Sequence, residues 1–301
     1  MRIHGVMLVK NEADVVGDTL RSAARWCDRI YVYDNGSTDG SWEIVRELGR
    51  THEAVIPFRQ DDAPYANQLR AEVLEAVRDD LAPGDWWCKL DADEIYIDHP
   101  FNFLTRVPAH YQLVYGASFQ FYFTDRDLAA WEAAPEKYAA DVPVEERLRY
   151  YMNNHSEPRF ARTLGPGNWI NGNASGTPVF PWRIWLKHYQ YRSPEQIQKR
   201  IENRRAVART GAGFRHEASA DWGRRLKGEA AQSSAEADWR ERVVPADQLC
   251  HDAGDGRFIQ REDLMRPIPM PRFGDDVRLA YERIRFRIEL RRRRRAKGAR
   301  A

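Results

Sequence analysis

Over the first third of the chain, short apolar runs alternate with amphipathic stretches, and this constrains the fold more than any other feature. Ile3–Val9, Ile30–Tyr33, Ala54–Phe58 and Trp86–Leu90 are strand-like runs bounded by polar segments. Between them lie Asp14–Trp26, Ser41–Leu48 and Pro64–Val77. In the first of these, Val15, Val16, Leu20, Ala23 and Ala24 recur at helical spacing, as do Val73, Leu74 and Val77 in the last. The alternation predicts βαβ units and a mostly parallel sheet flanked by helices, an α/β fold with these stripes as core.

Downstream the pattern is less regular. Leu113–Phe123, rich in aromatic and β-branched residues, reads as a longer strand, and Thr124–Glu146, polar and weakly periodic, as a mobile insert or acceptor loop. Leu164–Pro181, with four glycines and three prolines, has loop composition, and Phe180–Tyr189 is again strand-like. Ser193-Pro194-Glu195-Gln196 carries a capping box that opens a helix to about Arg209. Asp221–Asp247 shows no usable pattern, and Gly274–Leu290 places Tyr281, Ile284 and Ile288 on one helical face. The expected organisation is one domain in two halves, 1–125 and 126–215, followed by a C-terminal helical extension, 216–301.

The 47 basic and 45 acidic side chains nearly cancel, so no global basic field is available for nucleic acid, and none is expected as a partner. The tail is different: Tyr281–Ala301 holds ten Lys or Arg against two Glu. It reads either as a basic amphipathic helix that lies on an anionic membrane surface or as a solvated terminal helix. Cys27, Cys88 and Cys250 are odd in number and far apart, which fits a reducing compartment better than a disulfide framework. The residues after Met1 lack the basic and long apolar regions of a secretory leader, and no apolar run approaches the roughly 20 residues that span a bilayer. The expectation is a cytoplasmic protein, either free or peripheral on the inner face of the membrane.

Three polar clusters follow predicted strands: Lys10-Asn11-Glu12, Asp34-Asn35-Gly36-Ser37-Thr38-Asp39-Gly40, and Asp91-Ala92-Asp93-Glu94. Open α/β sheets bind ligands outside the carboxyl ends of their strands. Two carboxylates one residue apart at such an end suit a hard divalent cation shared with substrate phosphates, although acidic pairs are also common in turns. Likewise Asn35-Gly36 and Asp39-Gly40 are turn dipeptides and Thr38 or Asp39 suits a helix cap, while Asp34 at the strand end is placed to accept from a base or ribose. Asn11 and Glu12 equally suit caps of the next helix.

The run Leu8-Val9-Lys10-Asn11-Glu12, then Tyr31 to Ser41, then Lys89-Leu90-Asp91-Ala92-Asp93-Glu94 resembles the family 2 glycosyltransferases in order and spacing, over about residues 3 to 125. The resemblance implies a GT-A fold, with 1–125 as the nucleotide-sugar-binding half and 126–215 as the acceptor-side half. It implies a donor held by Val9, Asn11, Glu12 and Asp34, and Mn²⁺ or Mg²⁺ held by Asp91 and Asp93. Trp185 to Ser193 resembles the His-Tyr-x-x-x-Ser stretch of the Asp-x-Asp-Glu branch, which makes His188 the candidate third metal ligand, a packed histidine being the alternative. The implied reaction is inverting transfer from a nucleotide-diphosphate sugar to a saccharide or lipid-linked saccharide, in keeping with cell-envelope polysaccharide or lipopolysaccharide synthesis.

The chain departs from better-known members in lacking their downstream acidic pair and Gln-x-x-Arg-Trp motif, so the carboxylate that deprotonates the acceptor is open. Asp125 is the first candidate, followed by Asp127 and Glu157. Arg70, and of the pair Arg159 and Arg162 the latter, are candidates for the donor phosphates, with solvated ion pairing as the alternative. The rival readings are a sugar nucleotidyltransferase, whose glycine-rich loop Lys10-Asn11-Glu12 does not match, and a non-catalytic carbohydrate-binding or membrane-scaffold protein.

Overall fold

The computed structural model describes residues 1–63, 66, 68–82, 84–163, 177–209 and 238–268, and positions 277, 281, 284, 288, 291, 292 and 295. The expected alternation is present as β1 (Ile3–Val9), α1 (Val16–Ala23), β2 (Arg29–Asp34), α2 (Ser41–Thr51), β3 (Val55–Gln60), α3 (Gln68–Ala76) and β4 (Trp86–Asp91). β1 pairs in parallel with both β2 and β4, and β2 pairs in parallel with β3.

Successive strand residues point to opposite faces. Ile3, Met7, Val9, Ile30, Val32, Trp86, Cys88 and Leu90 therefore share one face, where Val16 and Leu20 of α1 and Val45 and Leu48 of α2 complete a core cluster. Val6, Leu8, Tyr31, Tyr33 and Trp87 share the other, covered by Leu69, Val73 and Leu74 of α3. Burial on both faces explains why these strands read as nearly continuous apolar runs. Each fully buried aliphatic side chain contributes about 1.5–3 kcal/mol, so a charged residue at Met7 or Val32 would disrupt the sheet.

The chain continues through β5 (Glu94–Tyr96), α4 (Pro100–Leu104), β6 (Leu113–Tyr122), α5 (Asp125–Ala133), α6 (Val144–Arg147), β7 (Tyr150–Arg162), β8 (Ile184–His188), α7 (Pro194–Arg209), β9 (Cys250–His251) and α8 (Glu262–Met265). Among the described residues the strand order is β3-β2-β1-β4-β7-β6-β8-β5, with β9 pairing β7. β7 runs antiparallel to β4, which makes the sheet mixed. Two compact units form: Met1–Ser118, His155–Leu186 and Arg261–Ala301 make the first, and Phe119–Asn154 with Lys187–Gln260 the second. Compactness follows the sheet rather than chain order, because β6, β7 and β8 contribute residues to each.

Thr124–Glu146, expected as a mobile insert or acceptor loop, contains α5 and most of the short α6. Thr124 Oγ1 accepts from the Asp127 N–H while the Asp127 carboxylate accepts from the Thr124 N–H, a capping box that starts α5 without needing apolar periodicity. At α7, Ser193 Oγ accepts from the Gln196 N–H as the sequence predicts, but Gln196 Oε1 reaches the N–H of Arg192. Residues 164–176 of the expected loop Leu164–Pro181 and most of Asp221–Asp247 lie outside the described residues. Cys27, Cys88 and Cys250 are free thiols. The described positions from 277 to 295 are helical, with Val277, Tyr281, Ile284 and Ile288 exposed, and no helix among the described residues is long and apolar enough to cross a membrane.

Candidate functional site

The ends of β1, β2 and β4 lie side by side in the first unit, with Val9 in register with Asp34 and Leu8 with Asp91. At one strand spacing on each side of β1, Asp34 and Asp91 are roughly 10 Å apart at Cα. The chain crosses from β3 at one edge back over β1 to β4, so this is also where the direction of strand order reverses. Open α/β sheets place their ligands at such switch points.

The loops after β1 and β2 brace one another. Asn11 has φ 56°, the left-handed region that asparagine tolerates better than most residues. In that conformation its N–H donates to Ser37 Oγ and its Oδ1 accepts from the Thr38 N–H, at 2.9 and 2.8 Å. The N–H of Glu12 donates to Ser41 Oγ, that of Ala13 to Asp39, and Lys10 Nζ to the carbonyls of Asn35 and Gly36. The Glu12 carbonyl accepts from Val15 and Val16 and so opens α1. Val9 itself is core, and its carbonyl takes the Asn35 N–H.

Asp34 is fully buried. Its Oδ1 accepts from the Ser37 N–H at 2.7 Å and from Gln60 Nε2 at 3.2 Å, while Oδ2 is buried without a partner, as is Oδ1 of neighbouring Asn35. Buried acceptors left unmatched cost about 1–3 kcal/mol each. Two of them side by side at a strand end suit a ligand that brings its own donors.

Asp91, Lys89 and Trp87 share the α3 face of β4. Arg70 on α3, itself buried, donates to Asp91 Oδ1 at 2.5 Å, and Arg159 on β7 donates to Oδ2 at 2.9 Å. Arg159 also donates to Glu94 and, at 2.6 Å, to Glu157, whose other oxygen accepts from Lys89 Nζ at 2.9 Å. Burial pushes the Asp91 carboxyl up, but Lys89, Arg70 and Arg159 outweigh it and hold Asp91 below the ordinary carboxylate range. Asp93 is buried in the turn between β4 and β5, and the Ala92 carbonyl beside it accepts from Thr19 Oγ1 of α1.

Of the two arginines flanking Phe160, Arg159 rather than Arg162 reaches the acidic cluster. Arg162 pairs with Trp86 at the start of β4 and stacks on its ring at 4.3 Å, about 16 Å of strand away from Asp91. It donates to the carbonyls of Val107, Pro108 and Tyr111 and so clamps the backbone there. Strand parity decides this: Glu157, Arg159 and Ala161 face one way, Phe160 and Arg162 the other. Arg159 and Glu94 are the members of the cluster that the sequence left unassigned. The signal that could have found Arg159 is its two-residue spacing from Glu157 on a strand antiparallel to β4.

The remaining candidates lie in the second unit, except Glu157. Asp127 uses one oxygen for Thr124 and the other for the Tyr138 hydroxyl, at 3.1 Å. Burial raises its carboxyl despite those donors. Asp125 is exposed, and its Oδ1 accepts from the N–H groups of Arg126 and Ala246. His188 ends β8, half-buried, with its carbonyl taking Gln120 Nε2. Among the described residues no three His, Cys, Asp or Glu side chains are gathered to hold a metal.

The chain belongs to glycosyl transferase family 2, whose model matches residues 6–170. Membership makes it a glycosyltransferase, with the GT-A fold of that family, and the nucleotidyltransferase and non-catalytic readings give way to it. Among solved structures it is similar to a mannosyltransferase from Pyrobaculum calidifontis in complex with GDP-Man and Mn²⁺, with 18% identity and TM-score 0.30 over 44% of this chain and 37% of that one. It is also similar to a mycobacterial protein, with 15% identity and TM-score 0.30 over 71% of this chain and 76% of that one. A third is the glucosyl-3-phosphoglycerate synthase of Mycobacterium tuberculosis in complex with phosphoglyceric acid, with 16% identity and TM-score 0.29 over 71% and 81%. Likeness at this level fixes neither donor nor acceptor.

Proposed function

We propose that this glycosyltransferase moves a sugar, with inversion, from a nucleotide-diphosphate sugar to a saccharide or lipid-linked saccharide acceptor, using Mn²⁺ or Mg²⁺. The observation that carries the reading is the buried, unpartnered Oδ2 of Asp34 two strands from Asp91. A nucleoside would supply the missing donor at Asp34, and its diphosphate would extend toward the end of β4.

Asp93 and Asp91, whose oxygens each retain a lone pair beside the bonds from Arg70 and Arg159, would hold a small hard cation, which is commonly bound by one or two carboxylates together with substrate phosphates rather than by a cage of protein ligands. When bound, such a cation would offset the charge that develops on the leaving diphosphate. His188 remains a proposed third ligand. Arg70 lies against Asp91 and would add positive charge to the phosphates. For the acceptor proton Asp125 is the strongest of the three candidates, because its Oδ2 takes no partner among the described residues, whereas Asp127 is spent on the helix cap and Glu157 on Lys89 and Arg159.

A cytoplasmic enzyme peripheral to an anionic membrane is part of the proposal; for the membrane contact, exposed Val277, Tyr281, Ile284 and Ile288 accompany the arginine run at 291–295. An envelope polysaccharide or lipopolysaccharide acceptor would suit that location. Flotation with phosphatidylserine but not phosphatidylcholine vesicles, lost when Arg291 to Arg295 become glutamine, is the expected result.

Melting temperature measured against a panel of nucleoside diphosphates, with and without Mn²⁺, tests the donor reading, since a ligand that binds only the native state raises it. One nucleotide should stabilise the protein in a metal-dependent way and fail to do so in Asp93→Ala. No stabilisation by any nucleotide contradicts the proposal.

A further inference from the structure

Arg159 combines three properties. It is 1% exposed, it donates to carboxylates from three elements (Asp91 of β4, Glu94 of β5 and Glu157 of β7), and the sheet leaves out a side chain to admit it. That omission is Gly116 on β6, where a Cβ would lie 2.8 Å from Arg159 Cγ and 2.9 Å from Leu186 Cδ2. Gly116 does not have the left-handed backbone that would itself demand glycine, so close approach is the constraint there.

A buried ion pair is a costly way to stabilise a fold, because desolvation offsets most of the attraction. The cluster is also graded in depth: the Glu94 side chain is 0% exposed, Asp91 25% and Glu157 32%. Buried charge at the inner end thus aims a carboxylate that opens to solvent at the outer end. The planar guanidinium suits that task, since its nitrogens hold several carboxylates in a fixed geometry that a lysine ammonium cannot impose.

We propose that Arg159, given its room by Gly116, is a positioning residue of the donor site, fixing the Asp91 carboxylate and with it the geometry in which the end of β4 meets the donor's diphosphate. The role rests on the donor reading above and deepens it. Arg159 acts through Asp91 and is not itself assigned to the reacting atoms.

The test is titration calorimetry of the wild type, Arg159→Lys and Gly116→Ala with the nucleoside diphosphate that stabilises the wild type, in the presence of Mn²⁺. The corresponding nucleoside, which lacks the phosphates, is measured by competition. Arg159→Lys keeps the charge and loses the fork, and Gly116→Ala keeps the arginine and displaces its stem, so the second variant carries the test if the first fails to fold. Each should weaken the diphosphate at least tenfold and leave the nucleoside within about twofold. A structural role alone would weaken both ligands alike, and that result overturns the inference, as does wild-type affinity for the diphosphate in both variants. A wild type that binds no nucleoside diphosphate refutes the donor reading itself, whereas binding by the wild type with unaffected variants refutes only the part given to Arg159.

Discussion

Asp34→Asn separates what the buried aspartate does for the ligand from what it does for the fold. In the free protein Oδ1 carries the two hydrogen bonds, from Ser37 and Gln60, and Oδ2 carries none. Asparagine keeps the first oxygen and replaces the second with an NH₂ group. The charge-assisted part of the Ser37 bond is lost, but so is the desolvation of an unmatched anionic oxygen, so stability should move by no more than about 1–2 kcal/mol. Binding is different, because an amide N–H now faces the ligand's own donor. Losing a hydrogen bond to a charged group costs about 1.5–3 kcal/mol, which is roughly ten- to a hundredfold or more in affinity. Calorimetric titration with the nucleoside alone reads this directly, and chemical denaturation of the free protein supplies the control. If Asp34→Asn binds the nucleoside as tightly as the wild type, the unpartnered oxygen is not a ligand contact and the placement of the donor at β2 is wrong.

Three further outcomes are expected. Arg162→Met removes a guanidinium that clamps three carbonyls and stacks on Trp86, and should destabilise the protein by about 2–3 kcal/mol in urea while leaving nucleotide affinity unchanged; weakened binding without loss of stability would restore Arg162 to the site. Thr124→Val removes the hydroxyl of the α5 capping box and should cost about 1 kcal/mol, read as a lower urea midpoint, with an unchanged midpoint refuting the cap. Asp85 is buried, which pushes its carboxyl up, but the N–H groups of Ala82 and Arg2 and the Arg2 guanidinium prevail and hold it below its ordinary value. With the folded pKa below the unfolded one, the stabilisation from Asp85 is complete above the unfolded pKa and is lost as pH falls through the folded one. Asp85→Asn should therefore be less stable than the wild type at pH 6–7 and approach it below about pH 4, whereas a gap that stays constant with pH would contradict the ionic role.

The parallel strands were legible in the sequence because burial on both faces makes them continuous apolar runs, and their polar ends then stand out against them. Asp34 and Asp91 fall on strand ends for that reason. β7 shows no apolar alternation, because on this strand the inward positions near the site are Glu157 and Arg159, charged and paired with one another. For the same reason Arg159 and Arg162 could not be told apart by composition: both flank Phe160, and only the register with β4 shows which face each takes. The α5 cap was present as Thr124-x-x-Asp127, but the helix it opens has too few buried apolar residues to announce itself. Base and acceptor stayed open because no local pattern in the sequence encodes which carboxylate faces an acceptor.

Transfer from a nucleotide-diphosphate sugar at the ends of β1, β2 and β4 would release a nucleoside diphosphate, and that release can be assayed. A panel of nucleotide sugars is incubated with Mn²⁺ or Mg²⁺ and either the wild type or Asp93→Ala. One nucleotide sugar should be consumed by the wild type, with release abolished by chelation and reduced at least a hundredfold in Asp93→Ala. Release from none of them, or release that Asp93→Ala sustains at the wild-type rate, would contradict the account.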